Sequence, residues 1–199
     1  MNIGVIVLAA GSSSRLGKPK QLLSYQHKTL LDHTIDVAKN IAVDNLVVIL
    51  GGNYEVIKEN LNSSKVNTVY NPSWEIGISS SIRMGLLTLM ESNKLLDGVI
   101  LTVCDQPFLN SKLLTTMIEK AETTGKSIIA SAYAETLGVP MLFSNIHFND
   151  LITLDGKEGA KTLIKKYKDQ VAFVPFEKGE IDIDTASDYD KLINTTGNI

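Results

Sequence analysis

Arg15, Lys18 and Lys20 sit inside a run of small residues, Ala10-Gly11-Ser12-Ser13-Ser14-Arg15-Leu16-Gly17-Lys18-Pro19-Lys20. Cations bracketed by glycines and serines make a loop whose backbone can approach an anion closely and present its N–H groups to it. The chemistry expected here is the handling of phosphate. Two familiar phosphate loops are excluded by counting. A P-loop requires G-x-x-x-x-G-K-[ST], whereas five residues separate Gly11 from Gly17 and Pro19 follows Lys18, so the metal-holding hydroxyl is missing. A dinucleotide fingerprint requires G-x-G-x-x-G directly after a strand, and the loop has no such triplet.

The carboxylates form a second group. Val99–Cys104 reads as a buried strand with Asp105 at its end, and in open α/β sheets ligands bind at the carboxyl ends of strands. Asp105 then faces the same crevice as the cationic loop. Glu180-Ile181-Asp182-Ile183-Asp184 alternates strictly. As a strand it would put the isoleucines on one face and the acids on the other. Asp105 with Asp182 or Asp184 is therefore a candidate Mg2+ pair, since that ion takes hard oxygen ligands and completes its shell with water and phosphate. The spacing does not choose between Asp182 and Asp184. Arg15 and Lys20 are candidates to clamp a polyphosphate and neutralise the charge growing on departing pyrophosphate. Lys18 is expected in solvent.

Asn71 and Trp74 are candidates to border a base or acceptor pocket, with a core anchor as the alternative for Trp74. Ser80 and Ser81 fall where a helix begins, where their hydroxyls either hold a ligand or cap the helix. Cys104 precedes Asp105 and is expected to point away from the crevice as an inert thiol. His27, His33 and His147 are scattered and form no metal-ligand spacing; His33 falls in an apolar helical segment and reads as structural.

Five ordered blocks across nearly the whole chain resemble the MobA-like nucleotidyltransferases, especially the molybdenum cofactor cytidylyltransferase (MocA-like) branch. They are Ala9–Lys20, Asn71–Leu86, Cys104–Pro107, Gly138–Phe143 and Asp182–Asp188. The resemblance implies a fold of the nucleotide-diphospho-sugar transferase type. It assigns nucleotide binding to Leu8, Ala9, Ala10, Gly11, Ser12, Ser13, Arg15, Lys20, Gly77 and Ser81, catalysis to Arg15, Lys20 and Asp105, and acceptor binding to Asn71, Trp74, Gly138 and Pro140. The implied reaction is Mg2+-dependent transfer of CMP from CTP to a phosphorylated small molecule, with molybdopterin the leading acceptor. The product would serve a molybdenum hydroxylase, a contact partner by the same implication. Ala9-Ala10 leans toward cytidine, because guanylyl-transferring relatives tend to have two glycines in that turn. The acceptor half departs from the pattern: Lys157 and Lys161 stand where an acid and an arginine are usual, and Val139 where histidine is frequent. The same chemistry on a methylerythritol or sugar phosphate, GTP as donor, and a non-catalytic accessory module are the alternatives.

These groups need a scaffold, and the chain supplies one. Apolar runs at Ile3–Ala9, Leu46–Leu50, Val66–Val69, Val99–Val103, Ser127–Ser131, Val171–Val174 and Ile181–Ile183 alternate with helical spacing over Thr29–Asn40, Tyr54–Leu61, Ser79–Ser92 and Ser111–Thr123. Such alternation predicts a Rossmann-like α/β domain spanning 1–199, its mostly parallel sheet covered by helices on both faces. Ser111 is the expected N-cap of its helix. Residues 133–161 are the least regular and are expected to form an acceptor-binding subregion over the rim of the sheet. At 199 residues, 44% hydrophobic and 21% charged, the chain has the composition of a globular domain with a substantial core. A net charge of −3 makes no electrostatic case for nucleic acid. One cysteine excludes an intrachain disulfide and fits a reducing, cytoplasmic setting. The N-terminal apolar run is too short for a membrane span and lacks the basic flank of a signal peptide.

Overall fold

The first strand is buried at every position, as a doubly covered parallel strand must be, and the sheet is built around it. The computed structural model describes residues 1–41, 45–62, 66–156 and 159–196. In chain order the strands are β1 (Ile3–Ala9), β2 (Ser24–Tyr25), β3 (Lys28–Thr29), β4 (Leu46–Leu50), β5 (Asn67–Tyr70), β6 (Gly98–Val103), β7 (Ile128–Tyr133), β8 (Thr136–Ser144) and β9 (Val171–Pro175). The helices are α1 (Leu30–Lys39), α2 (Tyr54–Glu59), α3 (Ile78–Ser92), α4 (Ser111–Thr124), α5 (Phe148–Thr153), α6 (Thr162–Lys166) and α7 (Ala186–Thr196). Seven strands form one sheet in the order β5-β4-β1-β6-β8-β7-β9, and β2 pairs with β3 in a small hairpin.

Strands β5, β4, β1 and β6 run parallel, as do β7 and β9; only β8 runs against its neighbours. After β1 the chain builds outward through β4 and β5, then returns to lay β6 on the other side of β1. The β1–β6 boundary is thus a topological switch point, where helices leave in opposite directions and a crevice opens.

Alternation along the strands divides the core. Val5 and Val7 of β1 pack with Val48 and Leu50 of β4 beneath Leu31 and Ile35 of α1 and Leu114 and Met117 of α4. On the other face Ile6, Leu8, Val47 and Ile49 meet Ile82, Leu86 and Leu89 of α3, with Phe148 and Leu151 of α5. A third cluster joins Leu23, Tyr25 and Leu30 to Ile183 and Leu192, tying the C-terminal segment to the hairpin.

Three expectations are corrected. The N-cap of α4 is Asn110, whose side chain accepts from the Leu113 N–H; Ser111 is the first helical residue. Ile181–Ile183 belongs to no strand among the described residues. Its alternation survives as burial, with Ile183 fully buried and Asp182 exposed, but in place of a ladder the Ile183 N–H donates to the Asp105 carbonyl. Residues 136–144 do not lie over the rim; they are β8, inside the sheet between β6 and β7. The Pro140 that disguises this strand sits at an irregularity, where pairing with β7 steps from Ala130–Met141 to Ser131–Gly138 and passes over Val139 and Pro140. A bulge is where a sheet tolerates a residue that cannot donate to the ladder. Lys157, one of the two lysines departing from the family pattern, lies outside the described residues; Lys161 is exposed and its ammonium donates to the Thr136 hydroxyl. No helix among the described residues is long and apolar enough to cross a membrane.

Candidate active site

A cleft of about 350 Å³ opens at the carboxyl ends of β1 and β6. Leu8, Ala9, Ala10, Gly11 and Ser12 border it on the β1 side, and Val103, Cys104 and Asp105 on the β6 side. Trp74, Gly77 and Ser81 close it from the α3 side, and Lys20 and Gln21 return to it after the loop. The register explains the convergence: Leu8 pairs with Val103, so Ala10 and Asp105 both stand two residues beyond the same rung.

The loop after β1 is held by its carbonyls. Gln21, fully buried, donates from Nε2 to the carbonyls of Ala9 (2.8 Å) and Gly11 (3.0 Å). The Ala10 carbonyl accepts from the Gly52 N–H and the Ser12 carbonyl from Asn53 Nδ2. The Ser13 carbonyl accepts from Leu16 N–H, while Ser13 Oγ accepts from the Lys20 N–H and donates to Gln21 Oε1. Among the described residues none of the N–H groups of Gly11 through Arg15 finds an acceptor. Carbonyls tied inward and N–H groups left over are the makings of an anion nest. Glycine at position 52 is required by proximity, because a Cβ there would lie 2.8 Å from Ser12 Cα. Gly77 caps α3 at φ 135°, a backbone only glycine adopts without strain.

Lys20, Asp105, Asp184 and Arg15 form one chain of ion pairs. Lys20 Nζ lies 2.5 Å from Asp105 Oδ2 and 2.8 Å from Asp184 Oδ1, and Arg15 Nη2 donates to Asp184 Oδ2 at 2.7 Å. Burial works against the Lys20 charge, but the two carboxylates outweigh it and hold the ammonium protonated well above its ordinary range. The Lys20 hydrogen bond holds the Asp184 carboxyl below its usual value against a smaller burial effect. Asp182 shifts the other way, raised by burial and then by the charges of Asp184 and Asp105. Neither Asp182 nor Asp184 lines the cleft: Asp182 borders a neighbouring groove with Phe108 and Lys191, whereas Asp184 is joined to the cleft through its ion pair with Lys20. The Cys104 thiol is buried, and burial followed by the Asp105 charge pushes its pKa up to about 12, so it stays neutral.

The other expected residues divide clearly. Ser13 and Arg15 do not line the cleft; Ser13 braces the loop and Arg15 stands largely in solvent, paired with Asp184. Asn71 is buried, donating to the Ser80 and Ser81 hydroxyls and accepting from the Ser73 N–H, so it shapes the turn leading into α3. Ser80 and Ser81 are not caps, because α3 begins at Ile78 behind Gly77. Gly138 and Pro140 lie in β8 outside the cleft, Gly138 packed against the Tyr133 hydroxyl and Pro140 accepting from Ser131 Oγ. His33 and His147 are tied to the Leu109 carbonyl and to Ser127 Oγ, as structural histidines are. Two organising residues carry no expected role from the sequence, although Gln106 lies within the Cys104–Pro107 block. Gln21 is visible only as a polar residue beside the apolar Leu22-Leu23 pair. Gln106 donates to the carbonyls of Val139 and Gly179, fastening the strand end that carries Asp105 to the segment leading toward Asp184.

Known proteins share this arrangement at the level of the whole fold. The crystal structure of Rv0371c from Mycobacterium tuberculosis H37Rv is similar with a TM-score of 0.82 and 29% identity, covering 97% of this chain and 98% of that one. A structure of Rv0371c in complex with manganese matches at TM-score 0.80 and 28% identity, over 98% of this chain and 100% of that one. The bifunctional protein GlmU of Francisella tularensis subsp. novicida is 27% identical over 121 residues, 60% of this chain, and the chain spans only 25% of that relative's length. The model of the MobA-like NTP transferase domain matches residues 5–171, from within β1 to the start of β9, and the chain belongs to that family.

Proposed function

We propose that this chain is a divalent-metal-dependent nucleotidyltransferase that transfers CMP from CTP to a phosphorylated small molecule, with molybdopterin as the leading acceptor. The observation that carries the reading is the placement of Gly11, Ser12, Lys20 and Asp105 around one cleft at the β1–β6 switch point, with Asp184 joined to it through the same Lys20 ammonium. A nest with adjacent cations suits a triphosphate. Two carboxylates directed at one point suit a hard divalent cation.

The donor set passes a direct test of fit. Asp105 Oδ2 and Asp184 Oδ1 both lie within hydrogen-bond range of one cation, the Lys20 ammonium, so two hard oxygens from separate elements already converge. Among the described residues there is no cluster of three or more His, Cys, Asp or Glu side chains placed to hold a metal. Asp105 and Asp184 would therefore hold the ion with phosphate and water completing its shell, as Mg2+ prefers. The ion would supply charge neutralisation across the phosphates when bound. The manganese complex of the mycobacterial neighbour supports a divalent ion on this fold.

The protein's own groups do the rest. The N–H groups of Gly11 and Ser12, which border the cleft and have no acceptor of their own among the described residues, bind and orient phosphate oxygens. The Lys20 ammonium and Arg15 guanidinium neutralise the charge that grows on pyrophosphate as it leaves the α-phosphorus. The acceptor's phosphate is already anionic, so the attack requires no general base, and His33 and His147 have no part in it. The acceptor preference rests on the resemblance of the five blocks to the molybdenum cofactor cytidylyltransferase branch, and the base preference on Ala9-Ala10.

A thermal-shift titration with CTP, GTP, ATP and UTP, each with and without Mg2+, tests the reading. Saturation at a hundred times Kd adds about 2.7 kcal/mol to the native state, which for a chain of this size raises Tm by roughly 5–10 °C. The expected result is a metal-dependent shift largest for CTP, with pyrophosphate release that Asp105→Ala abolishes. Folded protein that no nucleotide stabilises, or release equal to that of Asp105→Ala, refutes it.

A further inference from the structure

Resting on the nucleotidyltransferase reading, we infer that Lys20 is the resident counter-cation of the Asp105–Asp184 pair, and that a divalent cation enters this pair with the nucleotide triphosphate, not ahead of it. The Lys20 ammonium lies 2.5 Å from Asp105 Oδ2 and 2.8 Å from Asp184 Oδ1, at the point where the two carboxylates converge. A metal ion arriving alone must share or displace that charge. The side chains of Lys20, Asp105 and Asp184 are 15%, 18% and 30% exposed, so solvent screens little of the repulsion.

A triphosphate changes the balance because Lys20 borders the same cleft as Gly11 and Ser12. Lysine is a point charge on a flexible stem and can exchange one anionic partner for another by rotating. Once phosphate takes the ammonium, Asp105 Oδ2 and Asp184 Oδ1 are released together, while Arg15 keeps Asp184 in place through its other oxygen. Metal and nucleotide then strengthen each other's binding by the same factor, as linkage requires.

The test uses MnCl2 as probe and water-proton relaxation enhancement as readout, corrected for the Mn2+–CTP complex in buffer. Wild type, Lys20→Gln and Asp105→Asn are each titrated with and without CTP, after circular dichroism has shown that the variants fold. Wild type is expected to bind Mn2+ weakly alone and about tenfold or more tightly with CTP. Lys20→Gln is expected to bind Mn2+ alone about tenfold more tightly than wild type, with the CTP enhancement collapsed. Equal Mn2+ affinity of wild type with and without CTP overturns the inference, and this arm stands even if Lys20→Gln does not fold. Folded Lys20→Gln that binds Mn2+ no better than wild type also overturns it, leaving the proposed function intact when Asp105→Asn has lost the metal. If Asp105→Asn retains wild-type Mn2+ binding with CTP, the metal assignment of the proposed function fails as well.

Discussion

Replacing Gln21 with leucine tests whether the loop after β1 is held from inside. Gln21 is fully buried and its amide nitrogen serves two backbone carbonyls, those of Ala9 and Gly11. Leucine fills a similar volume but leaves both acceptors without that donor. A hydrogen bond of this kind contributes about 1–1.5 kcal/mol net, and an acceptor left unpaired in the interior costs more. The 3.3 Å bond from the Ser13 hydroxyl is long and adds little. Two lost partners therefore predict a destabilisation of about 3 kcal/mol, or a Tm roughly 6–12 °C lower at this chain length. The functional effect follows from geometry. With the Ala9 and Gly11 carbonyls free to rotate, the backbone of Gly11 and Ser12 at the edge of the cleft is no longer fixed, so nucleotide affinity and KM suffer first. Thermal unfolding with and without CTP, together with steady-state kinetics, reads both effects. A Tm within about 2 °C of wild type and unchanged nucleotide binding would refute the reasoning.

Three further outcomes follow from particular contacts. Gly52→Ala places a methyl 2.8 Å from Ser12 Cα; overpacking against backbone costs about 1–3 kcal/mol, and both Tm and nucleotide affinity should fall, whereas Gly11→Ala, with open space at its Cβ, should leave Tm nearly unchanged. Asn110→Ala removes the α4 cap and should cost about 1 kcal/mol in denaturant unfolding, with Ser111→Ala within about 0.5 kcal/mol of wild type. Asp182 and Asp184 should give opposite pH dependences. Asp184, depressed by Lys20, contributes stability that is complete above the ordinary value of 3.8 and lost as pH falls through its folded value, so Asp184→Asn should flatten acid unfolding below that point. Asp182, raised by burial and neighbouring acids, binds its proton more tightly folded than unfolded, so its cost grows as pH climbs from 3.8 through the raised value. Asp182→Asn should raise stability at neutral pH, and unfolding midpoints across pH 3–7 check both signs.

Local pattern sufficed for the first strand and the loop that follows it. Ile3–Ala9 is buried on both sides because every residue in it is apolar or small, and the small cationic loop after it leaves its N–H groups without acceptors among the described residues, as its composition suggests. Val99–Val103 likewise predicts β6 and the placing of Asp105 at its end. These features depend on neighbours a few residues away, where period and residue type carry the information. Strand β8 was not legible, since Gly138 and Pro140 argue against a strand unless it is known that they fall at a bulge and beyond the β6 pairing. Ile181–Ile183 had a strand's alternation but no ladder. Alternation reports which side is buried, whereas a strand requires a partner with free N–H and C=O groups. The choice between Asp182 and Asp184 also lay beyond the sequence, because the two are equivalent in pattern. Only tertiary packing separates them: Ile183 is seated among Leu23, Tyr25, Leu30 and Leu192, which sets Asp184 against Lys20 and leaves Asp182 toward another groove. The sequence by itself determined the chemical inventory and the strand that presents it. The meeting of Lys20 with two carboxylates lying 85 and 164 residues further along was decided by the fold, since contacts at that separation are set by the packing of elements and leave no local periodicity.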